Sequence, residues 1–440
     1  MSEISNQVGA VAPDQPVDRA SWEILPRLGP GLITGAADDD PSGIATYSQI
    51  GAQFGFGMLW TTLFSVPLMS AIQEICGRLG RITGVGISEN LRRHYPKELG
   101  YALVILLCLA NTFNVGADIA AMGAAMQLIV GGSISAYAVL LGIVSLLLQM
   151  YVPYRKYVRY LKWLTLSLFT YVLTAFVVHV PWLNALKATI VPSFSSQSEY
   201  WMALVAVLGT TISPYLFFWQ ASQEAEEVRV NAKEFPLKRK PSQALPQFRR
   251  IALDTRVGMA FSNLVAYFII LTTAATLFAS AAGKGIHVAA DAAEALEPLA
   301  GRLAFGLFAT GILGTGLLAV PVLTGSAAYA VSETFRWHAS LERTPRQAPK
   351  FYLVLAVATV TGILLNFVGI DPIRALYWSA VLNGIVSAPL MVVLMLMSSN
   401  RAVVGKFVLP GYLRILGWTA TAIMIVVAAG FLLTRLRAIR

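Results

Sequence analysis

The stretch GAADDDPSG, residues 35–43, places three carboxylates and a proline inside an otherwise apolar segment. A second proline break, GTTISP at residues 209–214, interrupts another apolar segment near the middle of the chain. In hydrocarbon every backbone N–H and C=O needs a hydrogen-bond partner, so a broken membrane helix persists only where protein, water or a bound solute satisfies the freed groups. The pair of breaks therefore predicts the solute-binding site of a membrane transporter.

The overall composition places these segments in a lipid bilayer. Of the 440 residues, 56% are hydrophobic and 13% are charged, and the mean hydropathy is +0.64. At about 20 apolar residues per span, the pattern predicts an all-α polytopic membrane protein with about eleven transmembrane helices. They lie at roughly 27–50, 57–76, 99–129, 135–151, 160–181, 201–222, 255–281, 303–330, 350–367, 374–398 and 411–433. Residues 1–22 are predicted to form a cytoplasmic tail, and residues 23–440 a single transmembrane domain.

The two breaks fall in the first and sixth predicted spans, five helices apart. An odd separation places them in oppositely oriented halves of the chain, which is typical of two inverted five-helix repeats that meet at the membrane midplane. We therefore predict repeat one at about 27–181, repeat two at about 201–398, and an extra helix at about 411–433.

Loop charges predict the orientation of the chain. Basic residues follow the even-numbered spans, so the amino terminus is expected in the cytoplasm. Arg435, Arg437 and Arg440 disagree, because an eleventh span would place them outside. The longest polar segment, 223–253, is interpreted as a solvated cytoplasmic loop, with a regulatory or lipid-contact site as the alternative. The stretch 291–298 is predicted to form a short extracellular helix.

Several other functional classes are disfavoured by the same sequence. The net charge is +10, but the basic residues occupy separated loops, so we expect no nucleic-acid partner. Cys76 and Cys108 lie in apolar stretches without a CxxC pair, and no cleavable signal peptide is expected in residues 1–20. Because HExxH, GxSxG and P-loop motifs are absent from the sequence, an enzyme is not predicted.

Asp40 is the best candidate ligand in the first break. Consecutive helical residues point about 100° apart, so Asp38, Asp39 and Asp40 cannot all face one ion. Asp40 precedes Pro41, which pushes it out of the helical region and lacks the N–H that would bond the carbonyl of Ala37. The site thereby gains one carboxylate and one free carbonyl. Asp38 and Asp39 are candidates to support the ligands or to carry protons.

The second break offers oxygen atoms by the same logic. Pro214 frees the carbonyl of Thr210, and Thr211 and Ser213 add hydroxyl groups. A single Ser or Thr in a membrane helix usually bonds its own backbone, so each hydroxyl is a weaker candidate than the freed carbonyl. Tyr215 and Gln220 follow this proline in the sequence and are candidates to line the lower half of the site.

Other polar residues inside predicted spans also need an explanation. In the third span Asn111, Asn114 and Asp118 share one helical face. An ionisable residue within a membrane is a functional hypothesis by default, so Asp118 is a candidate proton carrier, with an interhelical anchor as the equal alternative. Asn383 in the tenth span ranks above similar candidates, because that span packs near the first and sixth in this architecture. The similar candidates are Glu74 and Asn263.

The chemistry of these groups favours a cation as the transported solute. Net negative charge, several oxygen donors and no nearby Cys or His are typical of a site for hard cations. We predict transport of a divalent metal cation by alternating access. Two alternatives stay open: transport of an organic or monovalent cation through the same carboxylate, and a membrane receptor or structural protein that transports nothing.

The chain resembles the Nramp family of divalent-metal transporters, and more closely its divergent Nramp-related branches. The resemblance is carried by LGPG at residues 28–31, by DPSG at 40–43 where the family has Asp-Pro-Gly-Asn, and by the proline-broken sixth span. It implies eleven or twelve spans, the LeuT-type inverted-repeat fold with broken helices 1 and 6, and import of manganese, iron or similar ions, commonly coupled to protons. It also implies a multi-pass protein of the inner cell membrane that needs no cofactor.

Matched residue by residue, the resemblance makes Asp40 the metal-binding aspartate. Gly43 replaces the asparagine of the motif, Thr210 falls where the family uses an alanine carbonyl, Ser213 replaces a methionine, and Tyr215 replaces a histidine. Loss of the methionine thioether removes a soft ligand, so the site should suit Mg²⁺ or Mn²⁺, with Fe²⁺ also open, better than Cd²⁺ or Cu⁺. The predicted metal ligands are Asp40, Ala37, Thr210, Thr211, Ser213 and Asn383. The predicted supporting or proton-path groups are Asp38, Asp39, Asn114, Asp118, Tyr215 and Gln220.

Overall fold

The computed structural model describes residues 30–152, 165–231, 233–278 and 289–439. Throughout these ranges the regular secondary structure is helical, as the sequence predicts. The first half contains α1 (Pro30–Asp38), α2 (Pro41–Phe54), α3 (Trp60–Thr83), α4 (Ile87–His94), α5 (Lys97–Val130), α6 (Ile134–Tyr151), α7 (Phe169–Val177) and α8 (Trp182–Ile190). The second half contains α9 (Ser198–Thr211), α10 (Pro214–Val230), α11 (Ala244–Thr276), α12 (Ala289–Glu294), α13 (Glu297–Ala300), α14 (Ala304–Thr334), α15 (Pro349–Leu365), α16 (Pro372–Ser399), α17 (Arg401–Val404) and α18 (Gly411–Ile439).

Both predicted breaks are present, and each ends at a proline. Pro41 is the first residue of α2 and Pro214 the first residue of α10. Proline suits this position because its missing N–H would have no partner in the first helical turn, and its ring fixes φ near the helical value. The residues before the prolines, Asp40 and Ser213, have extended backbone with ψ of 167° and 132°. The chain therefore interrupts each helix for two residues and then restarts it.

The predicted spans coincide with helices of this structure. By length and composition alone, eight helical segments of the described chain can cross a membrane, and a pair bent by 106° near residue 59 raises the number to nine. The first predicted span consists of α1 and α2, with 9 and 14 residues, because the break divides it. The fifth is represented by α7, and its predicted residues 160–164 lie outside the described ranges. The predicted helix at 291–298 corresponds to two short helices, α12 and α13.

The interpretation of residues 223–253 as a solvated loop is wrong at both ends of that range, which are helical. Helix α10 continues to Val230 and α11 begins at Ala244. The side chain of Glu224 is fully buried, and it accepts a hydrogen bond of 2.5 Å from Arg250. A buried carboxylate that is paired and hydrogen-bonded can stay inside the protein, so charge composition alone gave a misleading picture of exposure.

Close backbone contacts at glycine bring the two broken helices against their neighbours. A Cβ atom at Gly35 of α1 would overlap the backbone of Gly258 on α11. A Cβ atom at Gly209 of α9 would overlap the carbonyl oxygen of Ala380 and the backbone of Gly384 on α16. Small residues at helix interfaces are the usual way in which membrane helices approach closely. The first break therefore lies beside α11, and the second beside α16.

The two cysteines of the chain lie on different helices and do not form a disulfide. Cys76 of α3 is fully buried in the apolar core. Cys108 of α5 is partly buried and packs against the same core.

Candidate functional site

The two helix breaks meet inside the protein. The Tyr215 hydroxyl, in the first turn of α10, donates a hydrogen bond of 2.9 Å to the carbonyl oxygen of Ala37. This is the carbonyl that the missing N–H of Pro41 leaves free within its own helix. On the other side of the break, a Cβ atom at Gly43 would lie 3.1 Å from the hydroxyl oxygen of Thr210. Residues of one break thus contact residues of the other.

The carboxylate of Asp40 lies at this meeting point, with four donor groups within hydrogen-bond distance. Its Oδ1 accepts from the Ser42 hydroxyl at 2.6 Å and from the Gly43 N–H at 2.8 Å, which caps α2. Its Oδ2 accepts from the Asn114 amide at 3.3 Å and lies 3.4 Å from the Tyr215 hydroxyl, which has a single proton and makes its shorter bond to the carbonyl of Ala37. Only 1% of Asp40 is exposed. The helix N-terminus favours its negative charge, and the hydrogen-bond donors fix its orientation.

Asp38 and Asp39 face a different helix from Asp40. The Ser262 hydroxyl of α11 lies 2.7 Å from Asp38 Oδ2 and 3.0 Å from Asp39 Oδ1. Both carboxyl groups are buried. The three aspartates therefore do not converge on one point, which agrees with the expectation from helical geometry. Consistently, no group of three or more His, Cys, Asp or Glu side chains is arranged to hold a metal ion among the residues described.

In the second break the hydroxyl groups bond nearby carbonyls. Ser213 Oγ lies 2.7 Å from the carbonyl oxygen of Thr210 and 2.9 Å from that of Gly209, so it covers the carbonyl freed by the proline. Thr211 donates to the carbonyl of Val207 at 2.6 Å, within its own helix. Ser213 and Thr211 thus use their protons on backbone oxygens, and their lone pairs remain available to a cation.

The tenth predicted span, α16, contributes to the second break. The Ser387 hydroxyl donates a hydrogen bond of 2.7 Å to the carbonyl of Ile212 inside the break. Asn383, one helical turn earlier, is fully buried, and neither its amide nitrogen nor its amide oxygen has a partner among the described residues. A buried amide without partners is costly, so its presence favours contact with a solute or water.

Two of the other predicted residues, Gln220 and Asp118, differ in their partners. Gln220 accepts a 2.5 Å hydrogen bond from Thr34, which lies one helical turn before the end of α1. Asp118 is fully buried, and neither of its carboxyl oxygens has a partner in the described part of the chain. The two lower-ranked candidates, Glu74 and Asn263, have partners in the structure. Glu74 forms a 2.7 Å ion pair with Arg78. The Asn263 amide donates to Ser65 and lies 3.0 Å from the sulfur of Met69.

Sequence reasoning missed Ser262 and Ser387. Both are serines within apolar spans, and many serines of this kind bond only their own helix. The signal that could have found Ser387 is its spacing of four residues from Asn383, which places both on one helical face. Ser262 carries no comparable signal, because its partners lie more than 220 residues away in the sequence.

Comparison with known proteins adds to this geometry. Residues 31–434 match the family described as Nramp, Natural resistance-associated macrophage protein-like. The chain belongs to the Nramp family. The divalent metal cation transporter MntH of Klebsiella pneumoniae (strain 342) is 26% identical over 411 residues, which cover 91% of this chain and 92% of that protein.

Solved structures of transporters share the fold of this chain. A crystal structure of the Eremococcus coleocola manganese transporter, in complex with an aromatic bis-isothiourea substituted compound, matches with a TM-score of 0.72 at 17% identity. The match covers 93% of this chain and 85% of that one. Mhp1, a nucleobase-cation-symport-1 family transporter, matches with a TM-score of 0.53 at 14% identity over 93% of this chain and 92% of its own. The predicted resemblance and the predicted all-α transporter fold are confirmed, and this Nramp chain is a multi-pass membrane transporter and not an enzyme.

Proposed function

We propose that this Nramp chain transports a divalent metal cation and that Asp40 is the main ligand. The observation that carries the proposal is a buried carboxylate at the meeting point of two helix breaks. It accepts from three donors, has the Tyr215 hydroxyl 3.4 Å away, and forms no ion pair with a basic side chain of the described residues. A buried carboxylate without a basic partner is stabilised by a bound cation or by a proton. The names of the MntH relative and of the manganese transporter support a divalent metal as that cation.

The proposed ligand set adds oxygen atoms from both breaks. The carbonyls of Ala37 and Thr210 are within the site but are bonded by the hydroxyls of Tyr215 and Ser213. A cation would take over these carbonyls when the hydroxyl groups rotate away, each rotation giving up about 1 kcal/mol of hydrogen bonding. The remaining ligands in the proposal are Thr211 and Ser213, through the lone pairs of their hydroxyl groups, and Asn383, through its unpaired amide oxygen.

The supporting groups surround this set. Asn114 and Tyr215 hold Asp40 directly. Asp38 and Asp39 are placed beside α11, and Gln220 is placed beside α1, where they are proposed to support the ligands or to form a proton path. Oxygen ligands of this kind suit Mg²⁺ or Mn²⁺, and Fe²⁺ is the third candidate.

The direction and orientation of transport are further parts of the proposal. We propose import by alternating access across the inner membrane, with the amino terminus in the cytoplasm and with protons as a candidate coupling ion. The orientation rests on the basic loops that follow the even-numbered spans. The division into repeats at about 27–181 and 201–398 also remains a prediction, supported by the matching positions of the two breaks.

The test is uptake of Mn²⁺ and Mg²⁺ into proteoliposomes by the wild type and by Asp40→Ala. Asp371→Ala is a matched control, because Asp371 also precedes a proline, caps α16, and accepts from the N–H of Arg374 at 3.1 Å. We expect Asp40→Ala to abolish uptake and binding, and Asp371→Ala to retain both. Uptake that persists in Asp40→Ala would refute the site. A wild type that transports an organic or monovalent cation, without competition from divalent ions, would refute the proposed substrate.

A further inference from the structure

The position of Asp118 on α5 places it beside the start of α2. Asn114, one turn before it, donates to Asp40. Met122, one turn after it, lies against Gly316 of α14, at a point that Pro41 also borders. Residues at i, i+4 and i+8 share one side of a helix, about 6 Å apart along its axis. Asp118 is therefore flanked by Asn114, which contacts Asp40, and by Met122, which borders the same glycine as Pro41.

The carboxyl group of Asp118 lacks what a buried carboxylate requires. It is fully buried, and neither oxygen has a hydrogen-bond partner among the residues described. No ion pair with a basic side chain is found for it in the same ranges. Asp118 shares one face of α5 with Asn114, whose amide donates to Asp40 at 3.3 Å. Asp118 thus belongs to the same electrostatic environment as the proposed metal ligand.

The two carboxylates differ in how their oxygen atoms are used. Asp40 accepts from Ser42, Gly43 and Asn114, so it is oriented but has few free lone pairs. Asp118 has two oxygens without donors, so all of its lone pairs are free. A divalent ion placed between them would meet one fixed and one adaptable ligand. Two negative charges would also balance the charge of the ion in a region that water does not reach.

We propose that Asp118 is the second carboxylate ligand of the transported ion, so that the closed site holds a doubly charged cation between Asp40 and Asp118. The inference rests on the proposed function and deepens it, because a dicarboxylate site selects divalent over monovalent cations by charge. Asn114 then serves as the spacer that holds the two carboxylates apart while donating to Asp40.

The experiment measures binding of MgCl₂ and MnCl₂ by isothermal titration calorimetry on the full-length purified chain. The variants are Asp118→Asn, which removes the carboxylate charge, and Asp118→Glu, which keeps a carboxylate on a side chain longer by one methylene group. Glu226→Gln is the control for loss of a buried charge elsewhere: Glu226 bonds the hydroxyls of Tyr329 and Ser340, and it lies about 18 Å along α10 from Pro214. Size-exclusion profiles show which variants are folded.

We expect Asp118→Asn to weaken binding of both ions by at least about tenfold, since ligand charge count sets the affinity of oxygen sites for divalent ions. Asp118→Glu should recover most of the affinity, and Glu226→Gln should match the wild type. The inference would be overturned if folded Asp118→Asn bound both ions with wild-type affinity. This holds even if the variant changed the pH dependence of transport. If Asp40→Asn then still abolished binding, the proposed function would stand without this inference. Absence of binding by the wild type would overturn both.

Discussion

Replacement of Ser262 by alanine tests the bridge between α11 and the first helix break. The Ser262 hydroxyl lies 2.7 Å from a carboxyl oxygen of Asp38 and 3.0 Å from one of Asp39. It has a single hydrogen, so it can donate to only one of the two carboxylates at a time. Ser262→Ala therefore removes one charge-assisted hydrogen bond and not two. A bond of this kind contributes about 1.5–3 kcal/mol to stability.

Ser379→Ala is a matched control for this substitution. Ser379 is also fully buried, but its hydroxyl donates at 2.7 Å to the carbonyl of Leu376 within its own helix. A neutral hydrogen bond contributes about 0.5–1.5 kcal/mol. We therefore expect Ser262→Ala to lower the free energy of unfolding by about 1–2 kcal/mol more than Ser379→Ala does.

The assay is equilibrium unfolding of the wild type and both variants in detergent micelles at one neutral pH. The reasoning would be refuted by equal losses of stability in Ser262→Ala and Ser379→Ala. Such a result would mean that Asp38 and Asp39 share a proton between themselves and do not depend on the hydroxyl.

Two further predictions concern the ion and the packing of α1. Ser213→Met introduces a thioether, so it should raise the affinity for Cd²⁺ and Mn²⁺ relative to Mg²⁺; an unchanged ratio in competition titrations would mean that residue 213 does not face the ion. Gly35→Ala should reduce stability by about 1–3 kcal/mol and impair uptake, because its Cβ would overlap the backbone of Gly258, which cannot move aside. The control is Gly306→Ala on α14, where an added Cβ has no heavy atom within 4 Å and little effect is expected. Equal effects of the two alanine substitutions would contradict the close contact.

The positions of the helix breaks were predictable because they depend on a covalent property of proline. Pro41 and Pro214 lack an N–H whatever the rest of the chain does, so the interruption and the freed carbonyl follow from the local sequence. The choice of Asp40 as the central carboxylate followed from the same local rule, since it is the residue before the proline.

The partners of the freed groups were not predictable in this way. The carbonyl of Ala37 accepts from Tyr215, 178 residues further along the chain, and that of Ile212 accepts from Ser387, 175 residues away. These pairs depend on how the helices pack. The same reason explains the wrong interpretation of residues 223–253: the pairing of Glu224 with Arg250 that allows burial exists only in the folded protein.

The burial of Cys76 and the partial burial of Cys108 have a practical consequence for kinetic work. A maleimide that dissolves only in water reacts with a thiolate, and neither position offers it an aqueous, accessible sulfur. A cysteine introduced into either break can therefore be labelled in a chain that keeps both natural cysteines. Labelling from each side of sealed vesicles would then report which compartment each break faces at each step of the transport cycle.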